Sequence, residues 1–97
     1  MLTINEVKEK TKDIFGLYPV RKVSVFGSFA RGEMSEGSDI DMLIQDSNIG
    51  IMDASNLRSR LESALHNNID LVDENDLSDV FKFLIKDDEV VIYEKQG

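Results

Sequence analysis

The stretch that decides the fold runs from residue 27 to residue 41 and reads GSFARGEMSEGSDID. It opens on Gly27-Ser28, a pair suited to a tight turn around phosphate, because glycine has no Cβ and serine offers an amide and a hydroxyl. It closes on Asp39 and Asp41, two hard oxygen ligands suited to a divalent metal. Together these residues predict metal-dependent nucleotidyl transfer.

The elements around this stretch predict an α+β (α/β) fold, a small mixed β-sheet flanked by helices. Thr3 and Glu6 have capping-box spacing, Gly16 is a suitable helix end, and β-branched residues favour strands on both sides of the stretch. Asp76 is the predicted N-cap of a helix whose apolar face is Leu77, Val80, Phe81, Leu84 and Ile85. In chain order we predict a helix over residues 4–15, a strand over 21–26, a short helix from 29, a strand over 39–44, a helix over 53–66, a strand over 69–72, a helix after 76 and a short strand within 89–94.

Length and composition narrow the class of protein. A chain of 97 residues predicts one domain over residues 1–97, and an apolar share of 41% is ordinary for a globular protein. No apolar run approaches the roughly 18 residues that a membrane span needs, and the N-terminus lacks the pattern of a signal peptide. Cysteine is absent, which excludes disulfides and thiolate metal sites. We therefore expect a cytoplasmic protein without a membrane partner.

The net charge of −8 argues against direct nucleic-acid binding. Such binding needs clustered Lys and Arg to displace counterions from phosphates, and the eleven basic residues here are scattered. Acidity could serve solubility alone, or it could steer a basic protein partner to this chain.

Asp39 and Asp41 alternate along a predicted strand, so both side chains project from one face of it. Their Cα atoms should lie roughly 6 to 7 Å apart, which allows the carboxylates to converge on two metal ions about 3.5 to 4 Å apart. Mg²⁺, or Mn²⁺ in its place, suits such ligands. A second ion usually needs a further carboxylate, and Asp70, flanked by apolar residues in another predicted strand, is the candidate. The alternative is that Asp70 simply points to solvent.

Three further residues are candidates for binding the nucleotide. Ser28 either contacts the triphosphate or acts as an ordinary helix N-cap, and ten residues separate it from Asp39. Arg31 either contacts phosphate or organises the loop by pairing with Glu33 or Glu36. Ser38 could cap the turn and orient Asp39.

The string Gly-Ser-x-Ala-Arg-Gly, followed by Ser-Asp-Ile-Asp and the later Asp70, resembles the signature of the DNA polymerase β-like nucleotidyltransferase superfamily. The match covers essentially the whole chain and is most similar to the minimal nucleotidyltransferase (MNT) branch. The resemblance implies a polymerase-β-like core in which Asp39, Asp41 and Asp70 hold two Mg²⁺ ions. It also implies that Gly27 and Ser28 contact the triphosphate of ATP.

The resemblance also implies a partner. Similar minimal proteins often accompany a helical HEPN toxin and transfer AMP from ATP to a tyrosine hydroxyl of that toxin, in a hetero-oligomer. Two other functions stay open: a non-catalytic antitoxin that neutralises by binding, and the catalytic subunit of a small-molecule nucleotidyltransferase.

Overall fold

The computed structural model of the chain describes residues 2–35 and 37–95. Its elements, in chain order, are α1 (Ile4–Phe15), β1 (Val20–Phe26), α2 (Gly27–Ala30), β2 (Ile40–Ser47), α3 (Ile51–Leu65), β3 (Ile69–Asp73), a 3-10 turn (Glu74–Asp76), α4 (Asp79–Ile85) and β4 (Val90–Glu94). No helix in the described part of the chain has the length and apolar character needed to cross a membrane.

The four strands form one mixed sheet in the order β3-β2-β1-β4. Strand β1 is antiparallel to both β2 and β4, whereas β2 and β3 are parallel. A parallel pair needs a crossover, and helix α3 provides it. The α+β prediction with a small mixed sheet is therefore confirmed.

The main core lies between one face of the sheet and helices α1 and α3. Helix α1 begins as the capping box predicts, because the Thr3 side chain accepts a hydrogen bond from the Glu6 amide at 3.1 Å. The buried side of α3 is a row of leucines at every fourth position, which places them on one stripe of the helix. The buried helical residues are Val7, Thr11 and Phe15 of α1 and Leu57, Leu61 and Leu65 of α3.

The opposite face of the sheet is only partly covered, by the segment that contains α4. Its buried cluster is small and consists of Phe26, Leu43 and Ile85, with Val72 and Leu77 packed against it. Because side chains alternate across a strand, this face also carries Asp41 and Asp70. The site predicted from the sequence therefore lies on the more open side of the sheet.

The prediction of a helix directly after residue 76 is wrong in the start of that helix and in its buried face. The Asp73 side chain accepts a hydrogen bond from the Asn75 amide at 2.9 Å and so caps a separate 3-10 turn that includes Asp76. The helix begins later, where Ser78 Oγ accepts from the Phe81 amide at 3.2 Å. Of the five residues assigned to its apolar face, Ile85 is buried and Leu77 is half-buried, and the other three are exposed.

The remaining boundaries coincide with the prediction or differ from it by up to three residues. The short helix begins at Gly27 instead of residue 29, and β2 extends to Ser47 because it pairs with β1 along that length. The start of the last strand at Val90 agrees with the expected strand within residues 89–94.

Candidate active site

Sheet register brings the candidate carboxylates together. Asp41 of β2 lies opposite Asp70 of the parallel strand β3, and on its other side it lies opposite Phe26, the last residue of β1. Neighbouring strands are about 4.8 Å apart, so the two carboxylates start from adjacent positions on one face. Asp39 precedes β2 by one residue. Gly27 follows Phe26 directly, so it lies at the end of β1 that is next to the carboxylates.

The three carboxylates differ in their environments. Asp39 and Asp70 are exposed, whereas Asp41 is half-buried. Burial raises the pKa of Asp41, and the negative charges of Asp70 and Asp39 raise it further. Arg31 opposes them by lowering the pKa of Asp41. The site therefore concentrates negative charge around Asp41, an arrangement that a cation would relieve.

Gly27 is required by geometry as well as by backbone conformation. Its φ of +72° lies in the left-handed region that other residues rarely adopt. A Cβ built at this position would collide with Oδ2 of Asp41. The absence of a side chain at residue 27 is thus what leaves room for the carboxylate beside the turn.

Ser28 lies in the first turn of α2, directly after Gly27. The backbone here is held by hydrogen bonds from the Arg31 amide to the Gly27 carbonyl at 3.2 Å and from the Glu33 amide to the Ser28 carbonyl at 2.9 Å. These bonds engage the carbonyl groups of Gly27 and Ser28. The role of Ser28 in binding the triphosphate stays a prediction.

Arg31 pairs with Glu33 and so organises the loop, which is one of the two roles predicted for it. Its Nε contacts Glu33 Oε2 at 3.1 Å, and a second nitrogen contacts Asp88 Oδ2 at 2.7 Å. Asp88 belongs to the segment after α4 and is 57 residues from Arg31 in sequence, so local sequence patterns do not predict this contact. The other proposed partner, Glu36, lies outside the described residues. Contact between Arg31 and phosphate stays a prediction.

Ser38 caps the turn, while a different residue holds the backbone before Asp39. Ser38 Oγ accepts from the Ser35 amide at 3.3 Å and lies 3.0 Å from Ser35 Oγ. Asn67 Nδ2 donates to the carbonyl of Ser38 and to that of Asn68, each at 3.0 Å. Asn67 thereby ties the residue before Asp39 to the start of β3.

Glu62 of α3 completes this link on the β3 side. Its Oε2 accepts a hydrogen bond from the Ile69 amide at 3.0 Å, next to Asp70. Sequence reasoning missed both Glu62 and Asn67, because neither belongs to a motif. Glu62 binds an amide seven residues away, and Asn67 binds the Ser38 carbonyl, 29 residues away. The signal that could have found Asn67 is its position in the short turn between a helix and a strand that carries an acid.

The donor set fits a divalent cation. The site offers carboxylate oxygens, which are the ligands that Mg²⁺ and Mn²⁺ prefer. Burial, and then the negative charges of Asp70 and Asp39, raise the pKa of Asp41, and a bound cation would offset the repulsion among these charges. Arg31 is the cation that acts on Asp41, but it is already paired with two carboxylates. Within residues 2–35 and 37–95, no three His, Asp or Glu side chains stand in an arrangement that already encloses a metal ion. Binding would therefore require the exposed carboxylates to turn inward.

Comparison with known families gives this geometry its context. Residues 9–97 match the family described as "Polymerase beta, Nucleotidyltransferase", so the match includes the Gly27 turn and all three carboxylates. The chain belongs to the polymerase β nucleotidyltransferase family. It is accordingly a nucleotidyltransferase, as the motif predicted.

Relatives within this family share most of the chain. A protein adenylyltransferase named MntA from Thermococcus cleftensis is 35% identical over 85 residues, which cover 79% of this chain and 83% of that protein. Among solved structures, a toxin–antitoxin crystallised with AMP-PNP has a TM-score of 0.76 at 24% identity, over 98% of this chain and 76% of the other.

A second solved structure contains a tri-AMPylated HEPN toxin of Shewanella oneidensis in complex with an MNT antitoxin. It has a TM-score of 0.65 at 21% identity, over 96% of this chain and 71% of the other. At these identities the two structures show a shared fold.

Proposed function

We propose that this chain transfers AMP from ATP to a tyrosine hydroxyl of a HEPN-type toxin, and that the transfer neutralises the toxin. The observation that carries the proposal is that Asp41, Asp70 and Gly27 lie together where β1 ends and where β2 and β3 begin. The adenylyltransferase relative supports the reaction, and the similar fold of two toxin–antitoxin structures supports the partner.

In this proposal the turn at Gly27-Ser28 binds the phosphates of ATP. Amides at the start of α2 donate to phosphate oxygens, and the missing Cβ of Gly27 lets the nucleotide approach beside Asp41. The three aspartates would hold up to two Mg²⁺ ions, which neutralise the charge of the leaving pyrophosphate and make the acceptor hydroxyl more acidic.

The acceptor hydroxyl attacks the α-phosphorus of ATP. A bond forms between the tyrosine oxygen and this phosphorus while the bond to the bridging oxygen of the β-phosphate breaks, so pyrophosphate leaves. Asp70, exposed next to Asp41, takes the hydroxyl proton on a carboxylate oxygen. Since the Asp41 carboxylate lies against the Gly27 turn and Asp39 is two residues before Asp41, we assign both mainly to holding the nucleotide.

The test uses ATP labelled at the α-phosphate, Mg²⁺ and a co-expressed HEPN-type toxin. We expect the unaltered chain to transfer the label to the toxin. We expect the Asp39→Ala and Asp41→Ala variants to transfer none. Asp13→Ala is the matched control, because it removes an exposed carboxylate from α1, on the other face of the sheet. If both active-site variants still neutralise the toxin and no label is transferred, the chain acts by binding and the catalytic proposal is wrong.

A further inference from the structure

Helix α4 carries large apolar side chains on more than one side. Its inner side is attached to the open face of the sheet. Ile85 is buried with Phe26 and Leu43, and the Phe81 ring packs edge-on against Phe26 with centroids 6.3 Å apart. This inner contact fixes the position of the helix on the face that also carries the carboxylates.

The outer side of α4 presents a second apolar stripe. Val80, Phe83 and Leu84 follow helical spacing, so their side chains are neighbours on one surface. They are 70%, 77% and 66% exposed. A helix that is apolar all round is normally buried, and a contiguous exposed patch of this kind marks an interaction site. We refer to Val80, Phe83 and Leu84 as the α4 stripe.

The α4 stripe adjoins the active site. Phe26, on which Phe81 packs, is followed directly by Gly27 and lies opposite Asp41 in the sheet. The ion pair of Arg31 and Asp88 joins the end of α2 to the segment after α4. A protein seated on the α4 stripe would therefore rest on the segment that covers the face of the sheet carrying Asp41 and Asp70.

The charge around the α4 stripe selects between possible occupants. Residues 73–89 contain seven Asp and Glu and two Lys, a formal charge of −5, and Asp41 and Asp70 add to it on the same face. Two copies of this chain would bring like charges together, which disfavours a symmetric dimer on this surface. A partner with Lys and Arg around an apolar patch would be attracted.

We propose that the α4 stripe is the docking surface for the acceptor protein, which contacts it through an apolar patch bordered by Lys and Arg. The inference rests on the proposed protein acceptor and adds where and by what chemistry it binds. Docking there places the acceptor hydroxyl near Asp70 without any acceptor-binding residues in the nucleotide site itself.

The test compares two double variants that each remove two exposed apolar side chains. Val80→Ser with Phe83→Ser alters the α4 stripe. Ile51→Ser with Met52→Ser is the matched control, since these residues are 91% and 86% exposed at the start of α3, at the far end of β2 from Asp41. Thermal melting and ATP binding are measured for both, to show that fold and nucleotide site are intact.

The probe is a co-expressed HEPN-type toxin, and the readout is the KM for that protein in AMP transfer. We expect the stripe variant to raise KM about tenfold or more and the control variant to leave it unchanged. Added salt should also raise KM in the unaltered chain, because rim charges are screened.

Three outcomes would overturn the proposal. One is that the stripe variant and the unaltered chain both transfer AMP with the same KM for the toxin. This result would refute the docking surface but not the proposed function. The second is an equal rise in both variants. The third is a dimer of this chain, seen by sedimentation, that the stripe variant abolishes. Absence of transfer by the unaltered chain would instead refute the proposed function.

Discussion

The carboxylate of Asp41 occupies the space that a side chain on Gly27 would need. Asp41 lies in β2 opposite Phe26, the last residue of the antiparallel strand β1, and Gly27 follows Phe26 as the first residue of α2. The glycine therefore serves two purposes: it permits a left-handed turn, and it leaves room for the acid. The effect of backbone strain and the effect of the collision with Asp41 can be separated by substituting two glycines that both have positive φ.

Gly27→Ala should reduce AMP transfer about 100-fold or more, because the new methyl group must displace Asp41. Gly32→Ala is the control. Its φ of +74° imposes the same backbone strain, but nothing lies within 4 Å of the added Cβ. We expect it to lose about 1 kcal/mol of unfolding free energy and to keep its activity. Equal losses of activity in the two variants would show that the collision with Asp41 is unimportant.

Asp41→Asn should raise the melting temperature of the metal-free protein at neutral pH. The folded-state pKa of Asp41 is raised by burial and by its acidic neighbours, so its ionised form destabilises the fold. This penalty is full above the folded-state pKa and disappears below the unfolded value of about 3.9. In melts with EDTA, the advantage of the variant should therefore be full at neutral pH and narrow as the pH falls through the folded-state pKa of Asp41 towards about 3.9. Mg²⁺ should stabilise the unaltered chain more than the variant, and a lower melting temperature for Asp41→Asn would contradict this account.

Asp70→Asn should impair chemistry more than nucleotide binding. We expect single-turnover transfer to slow by roughly 10²-fold to 10⁴-fold, the usual contribution of a positioned proton acceptor. ATP affinity should change little, because Asp70 is exposed and belongs to β3, away from the Gly27 turn in sequence. A parallel loss of ATP affinity would assign Asp70 to nucleotide binding instead.

Asn67→Ala should raise the Mg²⁺ concentration needed for half-maximal transfer. The substitution removes side-chain hydrogen bonds to the Ser38 and Asn68 carbonyls, so Ser38, directly before Asp39, loses its tie to the start of β3. The hydrogen bond from the Ile40 amide to the Asn68 carbonyl remains. We also expect a loss of about 1 kcal/mol in unfolding free energy. Asn68→Ala is the control, because Asn68 contributes its backbone carbonyl to this link. A loss of stability with an unchanged Mg²⁺ requirement would leave Asn67 with a structural role alone.

Arg31→Ala and Asp88→Asn together test whether Arg31 binds phosphate. If it does, removing Arg31 raises the KM for ATP, whereas removing Asp88 frees the guanidinium and leaves that KM unchanged or lower. If the ion pair only holds the loop, the two variants behave alike. We expect the first result, because Arg31 acts electrostatically on Asp41.

The sequence by itself determined what depends on nearby residues. The capping box at Thr3, the leucine stripe of α3 and the alternation of Asp39 and Asp41 are local patterns, and the structure follows them. The spacing of the Gly27 turn and the acids was enough to identify the family. Local rules suffice there because helix and strand periods fix which side chains share a face.

Only the tertiary structure decided which distant residues meet. The parallel pairing of Asp41 with Asp70 and the contact of Arg31 with Asp88 depend on the order and register of strands. The start of α4 was mistaken because Asp76 and Ser78 are both good caps, and packing of the segment selected Ser78. Apolar spacing predicted that Val80 and Leu84 belong to an apolar face but did not predict their exposure. A hydrophobic pattern records that a surface favours burial, whereas the arrangement of the other elements determines whether the chain itself covers it.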